Sequence, residues 1–146
     1  MKDWLTQTII EKSQAFLAAG QEVQPIFFGV RPQGNLLVVP FSRFFRSEAG
    51  KEQAVALGRL LVKTHQLHLT ALVHEAWLNK VKHPRPNQGP ARQEILIIIL
   101  ETPFELEVTT IPICQRRLEL AQMQVLTEAE TRFRFFGGGD LPPLAA

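Results

Sequence analysis

Residues 95–100 read Ile-Leu-Ile-Ile-Ile-Leu, an unbroken apolar run between Glu94 and Glu101. It is too short for most helices and rich in β-branched residues, so it reads as a strand. Successive side chains on a strand point to opposite faces, so a run without polar relief is apolar on both. Leu67–Leu78 has the same character. Leu67, Leu69, Ala71, Val73, Glu75 and Trp77 alternate with His68, Thr70, Leu72, His74, Ala76 and Leu78, and both sets are mainly apolar. Two such strands belong in the interior of a sheet covered on each side. Two predicted helices are available; they can cover one face, and a second subunit is a candidate for the other.

The rest of the chain supplies the partners. Asp3 can cap a helix running to about Ala19, with Leu5, Ile9, Phe16, Trp4 and the stem of Lys12 near one face. Gly20 is placed to end it, with Val23 covering the last turn. Pro25–Val30 and Leu36–Pro40 flank Arg31-Pro32-Gln33-Gly34-Asn35, where a preset proline φ and a left-handed Gly34 predict an antiparallel hairpin. Ser47 to about Thr64 is a second helix, striped by Ala54, Val55, Leu57, Leu61 and Val62. Gly58 costs about 1 kcal/mol in mid-helix relative to alanine, which close packing can offset. After the central strands, Phe104–Val108 alternates apolar residues with Glu105 and Glu107. Arg116–Leu126 suits either a strand or a short helix, and Arg132-Phe133-Arg134-Phe135 reads as a strand.

The expected fold is therefore α+β: a mainly antiparallel sheet of about five to seven strands with two helices, in the order helix-strand-strand-helix-strands. That order resembles the roadblock and profilin-like arrangement by topology alone, a fold-level analogy that implies assembly or scaffolding more than catalysis. A single domain over residues 1–137 and a flexible tail over 138–146 are expected. For 146 residues, one domain buries an adequate core without staples.

Composition excludes some chemistry. Cys114 is the only cysteine, so no intrachain disulfide and no multi-cysteine zinc site can form. The apolar runs fall far short of the roughly 20 residues that cross a bilayer, and Met1–Lys12 has no apolar stretch of a secretory signal. A cytoplasmic protein with no membrane association is the natural expectation. The net charge of +2 argues for no polyanionic partner by itself.

The candidate functional residues lie at one end of the central strands. Glu75 is an acid in an otherwise apolar strand and must be paired, protonated or beside an opening. Trp77, two residues on, shares its face and can wall that opening; burial would raise the Glu75 pKa, as a general acid requires. The plainer alternative is an ion pair with a nearby base. His74-Glu75 begins like the HExxH metalloprotease motif, but Leu78 stands where its second histidine belongs, on a strand rather than a helix. His68 and His74 would lie about 20 Å apart at about 3.3 Å per residue, too far for one metal. No metal or cofactor is expected.

The loop from Asn79 to Gln93 carries Lys80, Lys82, His83, Arg85 and Arg92 without an acid, held extended by Pro84, Pro86 and Pro90. It can meet an anionic or protein partner, helped by Arg43 and Arg46, whose alternation with Phe41, Phe44 and Phe45 can also be read as a nucleic-acid platform. Those phenylalanines can equally complete the core. Cys114 reads as a small buried side chain, and no GxSxG elbow is present. Three functions follow: a non-catalytic assembly or binding domain acting as a homodimer; a small hydrolase or metal-dependent enzyme using Glu75 with His74, His68 or His65; and a binder of nucleic acid or an anionic partner through the 79–93 loop.

Overall fold

The computed structural model describes residues 1–79 and 92–136, with the side chains of Leu78, Asn79 and Arg92 left out. The expected 138–146 tail and most of the 79–93 loop lie outside the described residues. The elements run α1 (Lys2–Ala18), β1 (Ile26–Val30), β2 (Leu36–Pro40), α2 (Glu48–His65), β3 (Leu69–Asn79), β4 (Arg92–Glu101), β5 (Leu106–Cys114), β6 (Arg117–Leu118) and β7 (Gln124–Leu126). All strand pairings are antiparallel, in the order β2-β1-β3-β4-β5-β6, and β7 also pairs with β5. This is an α+β fold with seven strands and two helices among the described residues.

The apolar run of β4 sits at the centre, between β3 and β5. Its register sets Leu96 opposite Glu75, Ile98 opposite Val73 and Leu100 opposite Ala71. These residues, with Phe28, Val30, Ile111 and Ile113, form one core with Leu5, Ile9, Ile10 and Leu17 of α1. The alternate residues Phe27, Leu72 and Ile99 form a second core on the opposite face, with Ala54 and flanking apolar residues of α2. The two helices thus lie on opposite faces, and the expectation that they share one is corrected. Both faces are covered from within one chain.

Local chemistry ends each helix. The N–H of Gly20, at φ 81°, donates to the Leu17 carbonyl and that of Gln21 to the Phe16 carbonyl, which closes α1 in a Schellman turn with Val23 buried in the same core. Asp3 lies in the first turn of α1 but does not cap it. The buried stripe is Leu5, Ile9, Ile10, Ser13 and Leu17, while Trp4 and Phe16 face outward. Ser47 caps α2, its Oγ accepting from the Gly50 N–H at 3.0 Å. The Phe41–Phe45 stretch is a turn of 3-10 helix with its rings inward: Phe41 stacks on Phe27 at 5.2 Å, and Phe45 stacks on Phe133 at 5.2 Å.

Residues 132–135 are not a strand. The segment crosses the seam between α2 and the sheet in tight local turns, with the Arg134 N–H donating to the Arg132 carbonyl and the Phe133 N–H to the Thr131 hydroxyl, and side chains hold it there. Glu101, 1% exposed, accepts from the Phe135 N–H at 2.7 Å, the Phe136 N–H at 3.3 Å and Arg134 Nε at 3.2 Å. Phe135 fills the space that Gly58 leaves open; a Cβ on Gly58 would lie 2.2 Å from the ring. That contact, rather than approach to the sheet backbone, explains a glycine in mid-helix. Gly58→Ala should therefore lower stability by about 1–3 kcal/mol from overpacking, exceeding the gain of up to ~1 kcal/mol in helix propensity. Urea unfolding measures it. In a Phe135→Ala background the same substitution should become neutral or stabilising.

Candidate functional site: an acidic cleft at the end of the central strands

The central strands are longer than α1 can cover. Beyond the last turn of α1 the sheet face continues from Val73 to Glu75 and Trp77 on β3, and from Leu96 to Glu94 on β4. Trp77 stands directly opposite Glu94, and Glu75 opposite Leu96, so Glu75, Trp77 and Glu94 share one face. The chain leaving α1 through its Schellman turn passes over this end as Gln21–Pro25. A cleft of about 250 Å³ is lined by Glu22, Val23, Gln24, Pro25, Glu75, Ala76, Trp77 and Glu94. A second, of about 340 Å³, shares Glu22, Glu75 and Glu94 and reaches Gln115 and Arg116. Arg116 is held there by the turn between β5 and β6, where Gln115 and Arg116 have φ of 51° and 61°.

Glu75 is the centre of this site. One carboxylate oxygen accepts from the Val23 N–H at 2.5 Å, which ties β3 to the chain leaving α1. Burial, then a hydrogen bond with Glu94, push its carboxyl up from the usual 4.5 to about 7, against the opposing effect of the Val23 N–H. The acid form of Glu75 is therefore favoured up to near neutral pH. Among the described residues Glu75 faces a second carboxyl group, that of Glu94, and the basic side chains of the 80–92 loop expected as ion-pair partners lie outside the described residues. Trp77 is 59% exposed and forms one wall of the cleft.

His74 does not join them. It projects from the opposite face, between Phe45 at 5.2 Å and Phe133 at 6.3 Å, and its Nδ1 donates to the Glu75 carbonyl at 3.1 Å. Burial, the main effect, holds its imidazole below the usual 6.5. His65 ends α2, and His68 is exposed ahead of β3. Among the described residues no three His, Cys, Asp or Glu groups converge as metal ligands. Lys80, Lys82, His83 and Arg85 lie outside the described residues, and Arg92 is placed only as the first residue of β4. The Arg43 guanidinium lies over the Phe44 ring at 5.0 Å. Cys114 is exposed rather than buried, because it ends β5 one residue beyond Ile113 of the core.

Glu94 was missed as a site residue because it looked like the polar boundary of an apolar run. Its signal was positional: on strands paired at Trp77↔Glu94, it must share the Glu75 face. Glu101, at the other end of the same run, is buried more deeply and acts as a clamp, as described above.

The raised Glu75 pKa has a definite sign in stability. The folded state keeps a proton that the unfolded chain releases near 4.5, so the Glu75 contribution is full below that pH and is lost as pH rises toward about 7. His74, with its lowered pKa, acts in the opposite sense, its contribution being lost as pH falls below 6.5. Urea midpoints of the wild type and Glu75→Gln across pH 4–8 separate the two: the variant should gain stability relative to the wild type as pH rises, with the difference levelling off above about 7. A difference that does not change with pH would refute the raised pKa of Glu75. Comparison with known proteins finds no matching family model, no matching curated protein and no matching solved structure.

Proposed function

We propose that this protein is a non-catalytic assembly domain of the cytoplasm that acts as a homodimer, joined through the outer edge of β7. The observation that carries this reading is the character of residues 120–126, Leu-Ala-Gln-Met-Gln-Val-Leu. They contain no charge, and Leu120, Met123, Val125 and Leu126 are each between 41% and 52% exposed. A turn of 3-10 helix, Leu120–Gln122, leads into β7, which pairs on one side with Val108, Thr109 and Thr110 of β5. Its other side has no strand partner among the described residues.

Open sheet edges recruit other strands, and monomeric proteins blunt them with lysine, proline or inward charge. None of these devices stands in residues 120–126. Beside this edge a hollow of about 420 Å³ is lined by Ile95, Pro112, Met123 and neighbouring amide side chains, again without an ionisable group. A neutral edge suits a neutral partner, and a second copy in antiparallel array offers the same edge under a two-fold axis. Since both sheet faces are covered from within the chain, the edge is favoured of the two seams the sequence reading allows, an uncovered sheet face or an edge.

Sedimentation equilibrium at micromolar concentration should give a dimer. Val125→Glu places the same charge on both copies and should weaken association by about a hundredfold or more, since like-charge juxtaposition costs several kcal/mol. Thermal stability of the monomer should stay unchanged. A monomeric wild type at that concentration overturns the reading.

One observation favours a second reading, a small hydrolase. The Glu75–Glu94 pair in a cleft, with Glu75 poised at about 7, is the pattern of a general acid beside its base. His74 would have no part in it. Hydrolysis of chromogenic esters or phosphate esters that Glu75→Gln abolishes without loss of fold would support this reading; activity indifferent to that substitution would remove it.

A further inference from the structure

The segment from Thr131 to Phe136 is bound as a ligand is bound. Among the described residues its only backbone-to-backbone hydrogen bond is internal, from the Arg134 N–H to the Arg132 carbonyl at 2.9 Å. A second local bond runs from the Phe133 N–H to the Thr131 hydroxyl at 3.1 Å, and the other backbone contacts go to side chains of a groove. Glu101 of β4 reads the Phe135 and Phe136 N–H groups, and Arg59 Nε of α2 donates to the Arg134 carbonyl at 2.9 Å. Two aromatic seats stand two residues apart. Phe133 stacks on Phe45, and Phe135 meets Phe27 edge-on at 5.2 Å over the notch of Gly58. The arginines add ion pairs at the rim, Arg132 with Glu48 at 2.7 Å and Arg134 with Glu101 at 3.2 Å.

Each part of this groove reads a feature of the turned segment: a carboxylate for successive amides, a guanidinium for a carbonyl, and separate seats for side chains at i and i+2. Such features recognise a peptide whether or not it is covalently attached. The connection from β7, Thr127–Glu130, lies at the surface and is mostly exposed, so on its N-terminal side the segment joins the sheet by a short surface linker.

We propose that the groove between α2 and the sheet is a peptide-recognition site for a Phe-Arg-Phe segment, filled here by residues 131–136 of the same chain and open to the same segment of a second copy. Exchange of an identical segment preserves every contact, so trans occupancy differs from cis occupancy only in the path of the linker. This does not depend on pairing at β7: a protein monomeric through that edge would still bind the segment.

The test uses the full chain carrying Phe133→Ala and Phe135→Ala, which empties both seats, and a fluorescently labelled peptide with the sequence of residues 131–136. Saturable binding to the variant is expected, with the wild type about tenfold or more weaker because its own segment competes at high effective concentration. The same peptide with both phenylalanines replaced by alanine should not bind. Equal binding to variant and wild type, or none to a variant that circular dichroism shows to be folded, overturns the proposal. Native-state hydrogen exchange on the unaltered protein keeps it falsifiable if the variant fails to fold. The Phe135 and Phe136 amides should exchange through an opening that leaves the β3 and β4 amides protected. Exchange of all of them only with global unfolding would make the segment core rather than ligand.

Discussion

A sheet whose middle strands are apolar on both faces must be covered twice, and everything in this chain answers to that demand. The Ile95–Leu100 run leaves no face for water. α1 covers one side with Leu5, Ile9 and Leu17; the other side takes α2, the aromatic turn at Phe41–Phe45 and the Phe133–Phe135 segment together. The asymmetry has a cause in α2 itself. Its buried positions include the small residues Gly50, Ala54 and Gly58, so it contributes proximity more than volume, and phenylalanines from elsewhere supply the volume. A single core built this way tolerates little change in size at Gly58, where helix and ring compete for the same space.

Coverage on the α1 side is incomplete, and the acidic cleft lies in what is left. The helix stops at Ala18, while β3 continues to Asn79. The uncovered end of that face carries Glu75, Trp77 and Glu94 instead of further isoleucines. Polar groups there are partly solvated, so two carboxyl groups can stand side by side, and the Glu75 carboxyl gives up its proton at about 7 rather than holding it throughout.

Much of the architecture was legible in residue periodicity, because a run apolar at every position admits few placements. The first hairpin, both helices and the interior position of β3 and β4 all follow from it. The candidate cleft was legible by half. Glu75 and Trp77 stood out as anomalies on an apolar strand, whereas Glu94 looked like the natural polar end of β4, and only strand register joins it to the other two. The 132–135 segment misled for a physical reason. Arg-Phe-Arg-Phe alternates with a period of two because Phe133 and Phe135 enter the core while Arg132 and Arg134 reach ion-pair partners, and a turned segment pinned in this way shows the same alternation as a strand in a ladder. No pattern distinguishes Glu101 as its clamp, since burial of a carboxylate depends on donors more than thirty residues away. The assignment of α1 and α2 to opposite faces was likewise invisible, being a property of connection and not of composition.

The ties of α1 have a consequence for how the chain is made. Lys2 bridges Glu105 and Glu107, and Gln14 accepts from the Leu118 N–H while donating to the Arg116 carbonyl, so the first helix is fastened to partners about a hundred residues later. During synthesis at about 5–20 residues per second, α1 emerges roughly 5–20 s before those partners exist. Its apolar stripe finds Phe28, Val30 and Val73 of β1 and β3 first, while the polar ties wait for β5 and β6. The nascent chain can thus lay the seventeen residues of α1 on half a sheet by apolar contact, and fix their position only when the last strands arrive.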